Sequence, residues 1–228
     1  MREHCVGRLL MLALLLTAAK AVHLFPLQRS HSIAWHSIPF ASGDLLLCSL
    51  AGMKDDVLKF CFHCPITHVG MVVCDARGRT FIWEATRRGC QLVPLSSYRT
   101  SPYSIFVHRK LRGPRLDPRA LERVLREHAG RQYSHCYWRP VYNQWFPYLP
   151  LATPAHRRTR FCTDLIADTL ARVGVLDFDS ISRTCADLLP ADFTEAAESL
   201  PLTAKYRYGP EVRIIASAPA AASSLPRR

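Results

Sequence analysis

The chain has 228 residues, of which 49% are hydrophobic, and its formal net charge at pH 7 is +12. This hydrophobic fraction excludes a disordered protein for most of the chain, and the length suffices for one domain with a sizeable core. The excess of Lys and Arg favours anionic partners: a phospholipid surface, an acidic substrate or nucleic acid. The basic clusters contain few aromatic residues and no zinc-finger or RNA-binding signature, so no specific nucleic-acid binding is predicted.

The N-terminal segment has the layout of a secretory signal peptide. Arg2 and Arg8 precede an apolar run over 9–19, and small residues follow up to Ala21. The run is about half the ~20 residues that a membrane-spanning helix needs. Residues 1–21 are therefore predicted to be a signal, with an anchor or a buried helix as the alternative. A signal implies a secretory, extracellular or membrane-associated protein, and otherwise the cytoplasm or a virion is expected.

The middle of the chain has the pattern of a mainly stranded domain. Residues 22–41, rich in His, Ser and Pro, are predicted to be irregular, the folded domain covers 42–215, and the low-complexity tail 216–228 is predicted to be disordered. Apolar runs bounded by turn residues predict strands over 42–50, 67–74, 80–85, 90–95 and 103–111. Strands that precede helices along the chain indicate the α+β class.

One helix has clear boundary signals. Asp117 is a good cap, Pro118 occupies the first helical position and Gly130 ends the pattern. An aromatic, turn-rich insert over 133–148 follows it. A further short helix is predicted near Ala191.

A second helix begins at a cysteine. In "RFCTDLIADTLARVGVL", residues 160–176, apolar side chains recur at helical spacing and Cys162 stands at the start. A helix N-terminus stabilises negative charge through its free N–H groups and the macrodipole. A thiol placed there is biased towards the thiolate, the form that attacks carbonyl carbons. A small buried hydrophobe is the alternative, so a base is needed elsewhere in the chain.

His68 and Glu84 supply a base and a carboxylate. A hairpin that turns around Ala76 predicts Glu84 directly opposite His68, within roughly 5 Å, and Gly70 leaves room beside the imidazole. A glutamate in the apolar strand "FIWEA" is costly to bury without a partner, and His68 would be that partner. Singly, the two residues are better explained as a core histidine and a strand-edge charge. Together with Cys162 they form a Cys-His-carboxylate set for nucleophilic catalysis.

The other cysteines give no clear site. The chain has nine in all, an odd number without a small-scaffold spacing, so at least one free thiol is expected. Cys61 and Cys64 form a C-x-x-C with His63 between them, but no second pair follows at zinc spacing. No metal and no cofactor is therefore predicted.

Four blocks of sequence resemble a known superfamily. "GDLLL", "THVGMVV", "IWEATRRGCQLVPL" and "RFCTDLIADTL", within 42–193, are similar to the permuted branch of the NlpC/P60 papain-like proteins, in particular its YiiX-like and poxviral members. The resemblance implies a circularly permuted papain-like fold: a small antiparallel sheet or half-barrel packed on helices, with the cysteine helix in the core. In papain the cysteine precedes the histidine, whereas here the histidine comes first, as the permutation implies.

The resemblance also implies a chemistry. Cys162 would be the nucleophile, His68 the general base and Glu84 the residue that orients the ring. The backbone N–H of Cys162 would help to hold the oxyanion. The reaction would be hydrolysis or transfer at an amide or ester carbonyl through a thioester. Relatives include peptidoglycan peptidases and lipid acyltransferases, so the fold alone does not fix the substrate.

Two features favour a lipid or acyl substrate over a peptide. The aromatic insert would border a hydrophobic cleft, and the basic run 156–160 leads to Cys162 and would attract phosphate head groups. The alternative for the aromatic insert is a loop packed over the core, and the alternative for the basic run is a solvated loop. A different class of function, a catalytically silent module that binds lipid or protein in the same cleft, would have no need of the three residues. The scissile bond and the oligomeric state stay open.

Overall fold

The computed structural model describes residues 32–50, 56, 58–59, 62, 64–98, 100–101, 103–133, 159–179, 183–197 and 199–215. The predicted signal 1–21, the tail 216–228 and most of the aromatic insert and basic run lie outside these residues. Among the helices that are described, none is long and apolar enough to cross a membrane.

A seven-stranded sheet organises the described part of the chain. Its strands are β1 (Ser32–Ala34), β2 (Leu45–Leu50), β3 (His68–Cys74), β4 (Thr80–Thr86), β5 (Gly89–Pro94), β6 (Tyr103–Arg112) and β9 (Arg207–Ile215). They lie in the order β1-β9-β6-β2-β3-β4-β5. The β1–β9 pair is parallel and the other neighbours are antiparallel. A separate parallel pair joins β7 (Gln132–Tyr133) to β8 (Thr159–Arg160).

A seven-stranded sheet with few helices agrees with the predicted α+β class, although the helices lie between strands and β9 comes after all of them. The helices are α1 (Leu95–Tyr98), α2 (Pro118–His128) and α3 (Cys162–Arg172). Helix α2 begins as predicted, because the Asp117 side chain accepts a hydrogen bond from the Arg119 N–H at 2.9 Å. The short helix expected near Ala191 is a 3-10 helix over Pro190–Phe193.

The sheet is larger than the small antiparallel sheet predicted from the sequence. Residues 32–37, inside the segment predicted to be irregular, form β1 and one turn of 3-10 helix. Strand β9 was not predicted, because proline in mid-strand argues against an interior strand. The β6–β9 register shifts between Arg109 and Leu111, beside Pro210, so the proline lies at an irregularity where no regular ladder bond is lost.

The sheet buries both of its faces. Along β2, Leu45 and Leu47 point to the face covered by α3, whereas Leu46 and Cys48 point to the other. The α3 face holds the larger core, and the opposite face packs around Trp35. Burial on both faces explains why these strands read as continuous apolar runs rather than as alternating patterns.

Candidate active site

The structure brings His68, Glu84 and Cys162 together from three elements. His68 is the first residue of β3, Glu84 lies in β4 and Cys162 is the first residue of α3. The His68 Nε2 atom lies 2.9 Å from the Glu84 carboxylate, and the Cys162 side chain is hydrogen-bonded to the His68 side chain. Since Nε2 faces Glu84, Nδ1 is the ring nitrogen left for the thiol.

The hairpin register differs from the prediction. Met71 pairs with Trp83 and Cys74 with Thr80, so the turn is centred on Arg77 rather than on Ala76. Glu84 is therefore displaced by two residues along the ladder from the position opposite His68. A displacement of two keeps a side chain on the same face of the sheet. The predicted contact consequently forms across a diagonal.

Gly70 makes room for its neighbours on this face. A Cβ atom there would lie 2.5 Å from the Ile82 side chain and 3.8 Å from the Tyr98 hydroxyl. The missing side chain at Gly70 thus lets Ile82 pack closely, next to the Tyr98 hydroxyl that binds Glu84. The prediction assigns this space to the imidazole of His68 instead.

Helix α3 is fixed on the sheet by buried polar bonds as well as by its apolar stripe. The Trp83 indole donates to the Thr169 hydroxyl at 3.1 Å, and the Thr163 hydroxyl donates to the Leu188 carbonyl at 2.7 Å. The first bond ties the later part of α3 to β4, and the second ties its first turn, next to Cys162, to the segment at Leu188. The residue before Cys162 is Phe161, whose side chain cannot accept from the first-turn N–H groups.

The electrostatics of the site favour a protonated ring at His68. Burial alone would lower the pKa of His68, but its hydrogen bonds to Cys162 and Glu84, together with their negative charges, outweigh burial and raise the pKa from 6.5 to about 10. The buried His68 ring is therefore held as a cation between the Glu84 carboxylate and the Cys162 side chain.

Glu84 remains ionised although it is buried. Burial raises its pKa, but the hydrogen bond and charge of His68, followed by hydrogen bonds from Tyr98 and Gln91, hold the pKa below its usual range. The Tyr98 hydroxyl donates to the same carboxylate oxygen that faces His68, and the Gln91 amide donates to the other at 3.4 Å.

Two tyrosines that the sequence did not single out complete the site. Tyr103 stacks on the His68 ring, with 5.7 Å between the ring centroids, and Tyr98 stacks on Tyr103 at the same distance. The cost of burying Glu84 indicates that further donors must surround it. Nothing in the sequence tells which residues supply them, because Tyr98 lies in the short helix α1 outside the hairpin.

Cys48 is a second thiol close to the pair. It lies opposite His68 in the β2–β3 ladder, and its pKa is raised well above the usual value by burial first and then by the charges of Glu84 and Cys162. Cys48 is therefore held as a neutral thiol, which is unreactive.

Access to Cys162 is restricted. Its side chain is 1% exposed. A substrate reaches the sulfur only after neighbouring groups move aside.

Two other described pairs of a histidine and a carboxylate join elements of the fold to each other. Asp44, wholly buried, lies 2.8 Å from His108 and also accepts from the N–H groups of Ala41 and Leu111. The Asp44 of the "GDLLL" block thus ties the turn before β2 to β6. His128 lies 2.7 Å from Asp168 and joins α2 to α3.

The C-x-x-C segment is described only in part, since Cys61 and His63 lie outside the described residues. The Cys64 thiol accepts from the Ile66 N–H, and burial outweighs this bond to raise the pKa of Cys64 to about 11. A neutral buried thiol is a poor metal ligand. Over the described ranges, no group of three or more His, Cys, Asp or Glu side chains is arranged to hold a metal ion.

We expect Tyr98→Phe to raise the pKa of Glu84, because the carboxylate loses a hydrogen bond to its charged form. Titration of the Glu84 carboxyl group, followed by NMR, measures the change. Tyr206→Phe, a tyrosine that makes no hydrogen bond to Glu84, is the control. An unchanged Glu84 titration in Tyr98→Phe would show that the hydroxyl does not act on this carboxylate.

The stability of the protein should depend on pH through His68. Its folded pKa of about 10 lies above the unfolded value of about 6.5, so the stability it contributes is complete below pH 6.5 and is lost as the pH rises to 10. Urea denaturation of the wild type and of His68→Gln at pH 6, 8 and 10 measures this contribution. The difference in unfolding free energy between the two proteins should shrink over this range, and a constant difference would contradict the pairing.

Comparisons with known proteins show a likeness to solved structures but no family. No protein-family model matches the sequence, and no curated protein matches it. The chain is similar to the crystal structure of the metalloprotein yiiX from Escherichia coli O157:H7, with 14% identity and a TM-score of 0.46. That likeness covers 74% of this chain and 96% of the other. It assigns neither an activity nor a metal to this chain.

Proposed function

We propose that the protein is a cysteine-dependent hydrolase or acyltransferase that acts on an amide or ester bond through a thioester. The observation that carries the proposal is the buried His68 ring, which bridges the Glu84 carboxylate and the Cys162 thiol at a helix N-terminus. The order of the three residues along the chain is that of the permuted papain-like NlpC/P60 fold, which we propose for this domain.

The first half of the reaction forms the thioester. The Cys162 sulfur attacks the carbonyl carbon, and the electron pair of the C=O bond moves to the oxygen, which the N–H of Cys162 helps to hold. When this intermediate collapses, the bond to the leaving nitrogen or oxygen breaks. His68 gives its proton to the leaving group, and Glu84 stabilises the ring while it is cationic.

The second half releases the enzyme. Water, or an alcohol or amine acceptor, attacks the thioester carbon and loses a proton to His68. The C–S bond then breaks and Cys162 returns to the thiolate. Whether water or another acceptor enters decides between hydrolysis and transfer.

A lipid or acyl substrate is the class that we propose. Most of the aromatic insert belongs to a segment, 134–158, whose flanking residues meet next to the nucleophile, because β7 and β8 pair with each other and β8 ends two residues before Cys162. The ring of Tyr133 lies 5.8 Å from that of Phe161. An insert attached at this point is well placed to border the substrate cleft, and the net charge of +12 favours an anionic membrane surface as the source of substrate.

Trapping of the acyl intermediate tests this proposal. The protein is incubated with p-nitrophenyl acyl esters of increasing chain length and with a peptide amide panel, and the peptides are mapped by mass spectrometry. We expect an acyl mass on Cys162 that hydroxylamine removes, and faster release of p-nitrophenol from the longer acyl esters. Acylation of other cysteines with Cys162 unmodified would count against the proposal.

A catalytically silent binding module is the second candidate, and the 1% exposure of Cys162 favours it. It predicts no thiol-dependent turnover of any substrate. It also predicts that the wild type and Cys162→Ala bind anionic vesicles equally well. Reaction of Cys162 with iodoacetamide ahead of Cys64 and Cys74, slowed at least roughly tenfold in His68→Ala at pH 6.5, would argue for the enzyme instead.

A further inference from the structure

A cavity of about 500 Å³ opens at the opposite end of β6 from the candidate active site. Its lining includes three arginines: Arg109, Arg112 and Arg207. Tyr103, which stacks on His68, begins β6, and Arg112 ends it, about 30 Å away at ~3.3 Å per residue. The cavity is therefore separate from the proposed catalytic centre. Its volume lies within the usual range for small-molecule sites, about 300–1,000 Å³.

Arg109 is a buried, fixed cation in the wall of this cavity. It is 9% exposed, donates from Nε to the Gly209 carbonyl at 3.3 Å and from Nη1 to the Phe193 carbonyl at 2.7 Å, and lies 5.5 Å from the Tyr208 ring centroid. These two bonds use two of the five N–H donors of a guanidinium. The two bonds fix the position of the Arg109 guanidinium, and its other N–H donors are therefore held in place as well.

Arg112 and Arg207 form an unfavourable arrangement at the rim. They lie directly opposite each other in the antiparallel β6–β9 ladder. Like charges in such a pair are destabilising. Within the ranges that the structure describes, neither side chain makes an ion pair with an acid. An anion between the two guanidinium groups would relieve the repulsion.

The acidic residues of the cavity are occupied by other partners. Asp192 accepts from the Arg183 guanidinium at 2.9 Å, from the Ser199 hydroxyl at 2.8 Å and from the Leu189 N–H at 2.7 Å. Glu195 accepts from the Glu211 N–H at 2.8 Å. The charge of Glu195, with that of Glu211, acts on the Arg109 guanidinium. The acids of the cavity are therefore directed at Arg183 and Arg109, and no described ion pair joins one of them to Arg112 or Arg207.

We propose that this cavity binds a phosphate monoester. A phosphate monoester carries a charge near −2 at pH 7 and three strong acceptor oxygens, and guanidinium groups bind such oxygens in bidentate geometry. Arg112 and Arg207 hold the phosphate from both sides, and Arg109 faces it from the wall. The group belongs either to a soluble phosphate ester or to a lipid head group, because the chemistry at the cavity is the same for both.

Paired variants of equal charge test the site. Arg112→Gln combined with Arg207→Gln removes two charges at the cavity, and Arg77→Gln combined with Arg88→Gln removes two at exposed turns of the β3–β5 hairpins. Binding of inorganic phosphate and of glycerol 3-phosphate to the full chain is measured by calorimetry and thermal unfolding at constant ionic strength. We expect the cavity variant to bind at least roughly tenfold more weakly, while the control binds as the wild type does.

The unfolding temperature without ligand is a second measurement, and it reports on the repulsion between the two arginines. Without ligand, the cavity variant should unfold at a slightly higher temperature than the wild type, because the repulsion between the two arginines is gone. Vesicles of phosphatidylcholine with and without phosphatidic acid then identify the source of the phosphate. Loss of binding to soluble esters alone points to a metabolite, and loss of binding to phosphatidic acid vesicles points to a lipid head group.

Equal binding by the cavity and control variants, to soluble esters and to vesicles alike, would overturn the proposal. The inference does not depend on thiol chemistry. Cys162→Ala should bind phosphate as the wild type does, so failure of one proposal is distinguishable from failure of the other.

Discussion

We expect Cys162→Ala to lower the proposed turnover of an acyl ester by roughly four to six orders of magnitude. The substitution removes the sulfur that forms the thioester in the proposed mechanism and leaves the apolar contacts of α3 in place. His68→Ala should cost about as much, since members of a catalytic set act as a unit and their losses do not add. Glu84→Gln should cost less, because an amide still positions the ring but does not stabilise the imidazolium. Initial rates with p-nitrophenyl esters measure all three.

Cys48→Ala is the matched control for this experiment. It removes a thiol that lies opposite His68 in the ladder and is held neutral. Its turnover should stay within about tenfold of the wild type, because only a small buried contact is lost. Equal losses in Cys48→Ala and Cys162→Ala would mean that packing, rather than nucleophilic attack, explains the effect.

Asp44→Ala destabilises the protein by about 3–5 kcal/mol, the range for removing one partner of a buried charged pair. The substitution leaves His108 and the N–H groups of Ala41 and Leu111 without their acceptor in a place that water does not reach. The free energy of unfolding from urea titration measures the loss.

Asp75→Ala is the comparison for this loss. Asp75 also accepts from two backbone N–H groups, those of Arg77 and Arg79, but it lies in the exposed turn of the β3–β4 hairpin. Water replaces it there, so a much smaller loss of stability than at Asp44 is expected. Losses of the same size at the two aspartates would contradict a structural role for the buried network around Asp44.

The hairpin of β3 and β4 shows what a sequence can predict about a site and what it cannot. The alternation of side chains places His68 and Glu84 on one face whatever the exact length of the turn, provided that the error in register is even. The Asp75 side chain folds back onto the N–H groups of Arg77 and Arg79 and sets the turn one residue later than predicted. The face was therefore predictable, whereas the register was not.

The other differences between the predicted and the observed structure also arise from contacts between residues that are far apart in the sequence. Strand β9 carries Pro210, which is acceptable only because the facing strand β6 is irregular at that point. Tyr98 and Tyr103 reach Glu84 and His68 from a short helix and from a strand two places away in the sheet. Local patterns of residues do not contain this information. The cap at Asp117 and the stripe of α3 are local features, and they were predicted.

The position of β9 has a consequence for the order in which the chain acquires its structure on the ribosome. Among the strands that the structure describes, β1 pairs with β9 alone, and β9 also covers the side of β6 that faces away from β2. The backbone of β1 must therefore wait for β9, made much later, before it finds this partner. Until residues 207–215 emerge, β6 is a bare edge, and such edges attract other chains. The nascent chain is most exposed to aggregation in that interval, and pairing over so long a separation slows folding.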